Sequence, residues 1–297
     1  PCCSAAFLKF FGVNHISPPF FRLSFAADQG NNGRTRLAFA TPLGFVVRHS
    51  SDTKKGGLRI RAESGTLRRA RVTVGLILTL TRKIHRAYLR GREFNFNLTG
   101  LSGTQLSDKT IGVIGAGQIG TLVLNALAGF GCRLVYHDIQ QRADLEGIAQ
   151  FVSIADLARD SDIVVFNVPL TKETQHMVNT ETIPRMKRGA LIVNTGRGGL
   201  IDAQALVEGI KSGQIGGAAL DVYQDEAPIF YSDRSADVLQ DDAFCRLMTF
   251  PNVIVTSHMA YLTDHALSDI AQTALQAFSD FEKGRPLATR VVASGPT

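Results

Sequence analysis

Gly115-Ala116-Gly117-Gln118-Ile119-Gly120 is the stretch whose reading decides the fold. The apolar run Thr110-Ile111-Gly112-Val113-Ile114 precedes it, and a helix-like stretch from Ile119 to Leu127 follows. Strand, tight glycine turn and helix in that order form a dinucleotide-binding fingerprint. Gly115 permits the sharp turn, Gly117 lets backbone approach a pyrophosphate, and Gly120 lets the helix lie close on the strand. Gln118 and Ile119 open the helix, whose N-terminus offers N–H groups and partial positive charge to phosphate. A second apolar run, 132–137, ends in Asp138, 18 residues past Gly120. An acid there accepts hydrogen bonds from the ribose of NAD and repels the extra phosphate of NADP. The plainer alternative is a cap on a surface turn, and Arg142 nearby would soften the preference for NAD.

Working outward, apolar strand-like runs recur at 110–115, 133–138, 162–168, 190–195, 217–222 and 253–257. Helical patterns lie between most of them, as in Ala203–Ile210 with Asp202 as its N-cap. Such alternation implies right-handed crossovers and a parallel sheet covered on both faces. The expected fold class is α/β, a doubly wound parallel-sheet (Rossmann) domain with ligands at the strand C-termini. Residues 72–90 read as one amphipathic helix, 91–107 as a polar arm, and 263–283 as a closing helix.

The chain has 297 residues, 44% of them hydrophobic and 20% charged, the balance of a water-soluble globular protein. No apolar run is long enough to span a bilayer. The net charge of +6 is unevenly spread: residues 1–71 hold 12 Lys and Arg against 3 Asp and Glu, the remainder 20 against 23. The body therefore gives no reason to expect nucleic acid or a membrane as partner. Cys2, Cys3, Cys132 and Cys245 show neither metal-ligand spacing nor a disulfide framework, so no metal is expected, and a reducing, cytoplasmic setting is.

Residues 1–71 read differently from the rest. Pro18-Pro19, Asn31-Asn32-Gly33, Lys54-Lys55-Gly56-Gly57 and repeated Arg interrupt every candidate element. The segment is expected to be poorly ordered or degenerate, or to act as a basic organelle transit peptide.

Three polar residues stand just past strand ends, where a ligand would lie: Arg197, Glu226 and His258. Moving a hydride between a hydroxy acid and nicotinamide requires a proton carrier, a carboxylate holder and a group that orients the carrier. Imidazole titrates near neutral pH, which suits His258 to the first task. The planar fork of Arg197 suits the second. A carboxylate at Glu226 would orient His258 and favour its charged form. Each has a plainer reading: a core or surface histidine, a structural ion pair, a solvated acid. Asp221, at the end of its strand, is expected either to accept from the nicotinamide carboxamide or simply to cap the strand.

These residues resemble a family. The glycine turn, Asn194-Thr195-Gly196-Arg197-Gly198-Gly199, Ala219-Leu220-Asp221-Val222-Tyr223 and the strand before His258 are similar in order and spacing to the NAD-dependent D-2-hydroxyacid dehydrogenases, over roughly 72–283. Arg82–Tyr88, Gln240–Phe244 and Ser257–Thr263 resemble the fermentative D-lactate members. The resemblance implies that Arg197 binds substrate, Glu226 assists, His258 is the acid/base, and Val168, Pro169 and Thr195 line the cofactor. It implies reduction of a small 2-oxo acid, pyruvate to D-lactate, with NADH, and a homo-oligomer with contacts in 72–107. The alternative is a catalytically impaired relic, or an NAD-sensing interaction protein.

The family's flavodoxin-like substrate half is not recognisable in 1–71, where only Gly12–Ile16 weakly resembles its carboxylate loop. An incomplete or atypical substrate domain is therefore expected, from a fragment, an upstream frame change or a degenerate copy. The expected organisation is an atypical basic segment (1–71), a linking helix and arm (72–100), the NAD-binding domain (101–262) and a C-terminal helix returning to the substrate domain (263–297).

Overall fold

The computed structural model describes residues 24–29, 35–40, 46–50, 66–283 and 285. Most of the basic segment, including its transit-like stretch and Gly12–Ile16, lies outside the described residues. The chain divides into two units, Pro1–Arg61 with Thr273–Thr297, and Ala62–Gln272. In the first, β1 (Ser24–Gln29), β2 (Thr35–Ala40) and β3 (Val46–Ser50) pair antiparallel in sequence order. The sequence reading expected no regular element there. The Gly, Asn and Pro clusters stand between these short apolar runs rather than inside them.

The second unit begins with α1 (Thr66–Thr81) and α2 (Ile84–Arg92). Beyond them run β4 (Thr110–Ile114), α3 (Gln118–Ala128), β5 (Arg133–His137), β6 (Gln150–Phe151), α4 (Ile154–Asp160) and β7 (Ile163–Phe166). Then come β8 (Ala190–Asn194), α5 (Ala203–Lys211), β9 (Ile215–Leu220), α6 (Asp242–Thr249), β10 (Val253–Val255) and the start of α7 (Asp264–Glu282), which runs past the limit of this unit at Gln272. Seven strands form one sheet in the order β10-β9-β8-β7-β4-β5-β6, and every pairing is parallel. The chain moves outward from β4 in one direction, then restarts at β7 on its other side. That reversal opens a crevice between the C-terminal ends of β4 and β7. Each of the six expected strands is present. The two-residue β6 was missed, because a strand so short carries no alternation to read.

Side chains alternate across the sheet and build two cores. On one face Ile111, Val113, Leu134, Ile163, Val165 and Val193 pack with Ile77 and Leu80 of α1 and Val123, Leu124 and Leu127 of α3. On the other, Ile114, Val135, Val164, Phe166 and Ile192 pack with Leu157 of α4, Leu206 and Ile210 of α5, and Leu247 of α6. A strand buried on both faces needs continuous apolar sequence, and Ile163-Val164-Val165-Phe166 is buried throughout.

The expected single helix over 72–90 is two helices. Lys83 takes φ 54° between them and its Nζ donates to Gly100 O at 3.0 Å. Thr81 Oγ1 donates back to Ile77 O at 2.7 Å, a bond that bends helices. The arm crosses at this break: Thr104 N donates to Thr81 O at 3.0 Å, and a Cβ on Gly103 would meet that same carbonyl at 2.8 Å. Among the described residues, no helix is long and apolar enough to cross a membrane.

Candidate active site

Every residue singled out from the sequence follows the C-terminal end of a strand of the large sheet or opens the helix behind one. After β4, Gly115 adopts φ 91°, and a Cβ there would strike the backbone of Asn167 at 2.8 Å. A Cβ on Gly120 would collide with the carbonyl of Gly115, so only glycine lets α3 start this close to the strand. At Gly117, the N-cap of α3, a Cβ would meet nothing within 4 Å, and no side chain caps the helix. The first N–H groups of α3 thus face an open cradle suited to a phosphate. Gln118 is exposed at the helix start, and Ile119 packs half-buried on the core.

Asp138 bridges the strand ends. Its Oδ2 accepts from Ala116 N at 2.7 Å and its Oδ1 from Ile139 N at 2.6 Å. A carboxylate offers about four lone-pair sites, so each oxygen keeps one for a ribose hydroxyl. The guanidinium of Arg142 is committed to Asp144 through two bonds of 2.8 Å. The donor set, the open cradle and the acid suit a dinucleotide. Val168 lies half-buried and Pro169 exposed just past β7, on the other bank of the crevice.

After β8, buried Asn194 shapes the turn that carries Arg197. Its Oδ1 accepts from Gly196 N at 3.0 Å and its Nδ2 donates to Arg197 O at 2.9 Å. The Arg197 guanidinium is exposed, with Nη1 donating to Gly196 O at 2.7 Å. Thr195 is buried, its hydroxyl 2.7 Å from that of Thr73 on α1. Thr73 donates its own hydrogen to Arg69 O at 2.8 Å, so Thr195 is the donor between the two. Thr195 therefore ties the turn to α1. The sequence reading missed Thr73, because a threonine inside an apolar helix carries no signal of a partner 122 residues away.

The turn after β9 supplies the acids. Tyr223 N donates to Glu226 Oε2 at 3.2 Å, while Glu226 Oε1 lies 2.7 Å from His258 Nδ1. A carboxylate only accepts, so Nδ1 carries the hydrogen of that bond, and Nε2 is the ring nitrogen that Glu226 does not engage. The imidazole is almost wholly buried, and its backbone is left-handed at φ 54°.

Asp221 holds that backbone in place. Its carboxylate accepts from Thr256 Oγ1 at 2.6 Å, Met259 N at 2.9 Å and Ala260 N at 3.0 Å, and its carbonyl accepts from His258 N at 2.7 Å. Three of its four lone-pair sites are thus taken by the chain. Arg197 comes alongside through Gly198, where a Cβ would collide with the Tyr223 carbonyl. The Arg197 turn and the Glu226 turn are therefore in direct contact.

The family described as D-isomer specific 2-hydroxyacid dehydrogenase, NAD binding domain, matches residues 74–260. The chain belongs to that family. The match takes in the glycine turn, Asp138, Arg197, Glu226 and His258, and the chain carries the family's NAD-binding domain, with NAD as its cofactor. Two relatives are similar at the sequence level. One is 2-hydroxyacid dehydrogenase A of Aspergillus oryzae, 47% identical over 76% of this chain and 65% of its own length. The other is D-lactate dehydrogenase of Escherichia coli, 45% identical over 74% of this chain and 67% of its own. Among solved structures, the pyruvate reductase of Chlamydomonas reinhardtii matches 75% of this chain and 68% of its own, with TM-score 0.72 and 37% identity. The chain thus spans about two thirds of the length of these dehydrogenases, and 64–65% of several.

Proposed function

We propose that this protein reduces a small 2-oxo acid with NADH, and that pyruvate, giving D-lactate, is its substrate. The observation that carries the reading is the His258 Nδ1–Glu226 Oε1 contact of 2.7 Å, with the Arg197 turn packed against the Glu226 turn. The names of the relatives, D-lactate dehydrogenase and pyruvate reductase, support it. Bound NADH supplies the hydride that the substrate's carbonyl carbon gains. Nε2 of His258 delivers the proton that the carbonyl oxygen gains, while Glu226 keeps the imidazole aimed. Arg197 pairs with the substrate carboxylate and polarises the adjacent carbonyl. The glycines at 115, 117 and 120, with Gln118 and Ile119, would cradle the phosphates, and Asp138 the ribose. Val168, Pro169, Thr195 and Asp221 would line the nicotinamide end, with Asp221 reaching the carboxamide through its fourth lone-pair site.

The sequence-derived domain limits, 101–262 for NAD binding with 72–100 linking and 263–297 returning, accompany this reading. So do two finer points. Ile84, Tyr88, Leu89, Phe94, Phe96 and Leu98 are all exposed along α2 and the arm, a concentration of apolar side chains interleaved with polar ones that suits a second copy. The free thiols of Cys132 and Cys245 suit a reducing cytoplasm.

The test mixes the protein with NADH and pyruvate, follows NADH absorbance, and measures NADH binding in parallel. Turnover that His258→Ala lowers by roughly a hundredfold or more, with NADH affinity kept, is the expected result. NADH binding without turnover would instead favour a cofactor-sensing protein.

A further inference from the structure

We propose that Tyr231 is a positioning residue for His258, its ring held against the imidazole by a backbone bent into the left-handed region. The inference rests on the reading of His258 as proton carrier and deepens it. The two ring centroids lie 6.4 Å apart at 42°. Tyr231 has φ 67° and His258 has φ 54°. A bulky residue in that region is strained and persists only where its surroundings over-determine it. Here two such residues meet in one ring contact.

The surroundings that impose this conformation are visible. Phe230 N donates to Glu226 O at 2.8 Å, so one turn delivers both the Nδ1 partner and the Tyr231 ring. Buried Phe230 anchors the turn on α6, with its ring 6.0 Å from Phe244 and 6.3 Å from Tyr231. Tyr261 meets the imidazole edge-on at 6.5 Å and 84°. Glu226 restrains one nitrogen, and the two tyrosine rings restrict the swing of the imidazole about that bond. Burial, followed by the nearby Glu226 carboxylate, holds the Tyr231 phenol above its ordinary value. It stays neutral, so the shape of the ring performs the task rather than its charge.

Tyr231→Gly and Tyr231→Phe test this. Glycine adopts the left-handed conformation without penalty, so the ring is lost while the turn is spared. Two readouts apply. Diethyl pyrocarbonate forms an N–C bond to an imidazole nitrogen and releases ethanol and carbon dioxide. Peptide mass spectrometry of the NADH-free protein then reads labelling at His258 whether or not the protein turns over. Pyruvate kinetics give the second readout. Tyr231→Gly is expected to label His258 several-fold faster and to lower kcat by roughly tenfold. The NADH dissociation constant should not move, and Tyr231→Phe should behave as the parent. Parental labelling and kcat in Tyr231→Gly would overturn the proposal, as would a Phe variant that matches Gly. If the parent protein shows no turnover but the labelling pattern holds, the reductase reading fails and the positioning role stands.

Discussion

At the residue scale, the site consists of side chains whose partners are other parts of the site. Asn194 is the clearest case. It contacts no expected ligand, yet it pairs with both Gly196 N and Arg197 O. Asn194→Ala leaves two backbone groups without partners, at about 1–3 kcal/mol for each buried one. A KM for pyruvate raised by roughly tenfold or more, with NADH affinity little changed, is the expected kinetic result. In the proposed cofactor site, Asp138 would offer ribose the lone pairs that Ala116 N and Ile139 N leave, and would confront any 2′-phosphate. Asp138→Ala should narrow the preference for NADH over NADPH, read as the ratio of kcat/KM for the two. Arg197, Glu226 and His258 were legible as candidates because each follows an apolar strand. Thr73, the partner of Thr195, was not, since a hydrogen bond between distant segments leaves no periodic trace in sequence, and neither was the turn-shaping role of Asn194, which depends on how its side chain folds back. Asp221 was legible only in part. Its position was clear, but the three bonds that make it the anchor of the His258 loop come from residues 35 to 39 positions later.

At the element scale, close backbone approach and a few buried acids fix how the pieces meet. Gly198 is one such point, because any Cβ there collides with Tyr223 and Gln224 backbone. Gly198→Ala should destabilise the protein by about 1–3 kcal/mol and weaken both Arg197 and Glu226 at once. Chemical denaturation and steady-state kinetics on the same variant would check it. Asp162 is the other. It accepts from Thr110 N at 2.9 Å at the start of β4 and pairs with Lys187 at 2.8 Å. Burial works to raise its carboxyl, but the bonds from Lys187 and Thr110 prevail and hold it below the ordinary 3.8. A carboxyl lower in the folded than in the unfolded chain stabilises above the unfolded value, and that contribution fades as pH falls through the folded one. Asp162→Asn should therefore cost stability at neutral pH, with the gap to the parent closing below about pH 4 in urea titrations. Strand and helix order was legible because apolar runs and caps such as Asp202 are local. The break at Lys83 was not, because the arm that crosses there, at Gly100 and Thr104, arrives from further along the chain.

At the scale of the whole molecule, one sheet with its reversal between β4 and β7 gathers the loops after β4, β5, β7, β8, β9 and β10 at the C-terminal ends of its strands, and the proposed chemistry lies there. The exposed apolar residues of α2 and the arm carry the separate proposal of a contact with a second copy. Phe94→Ser with Phe96→Ser should lower the assembled mass in sedimentation or light scattering if copies pair there, and an unchanged mass would remove that role. The central claim is that His258, Glu226 and Arg197 act together beside bound NADH on a 2-oxo acid. NADH carrying deuterium at the transferable position, incubated with pyruvate and the protein, tests this most directly by NMR and chiral chromatography of the product. D-lactate with deuterium on its second carbon is the predicted result; NADH that binds tightly while pyruvate stays unreduced would contradict it.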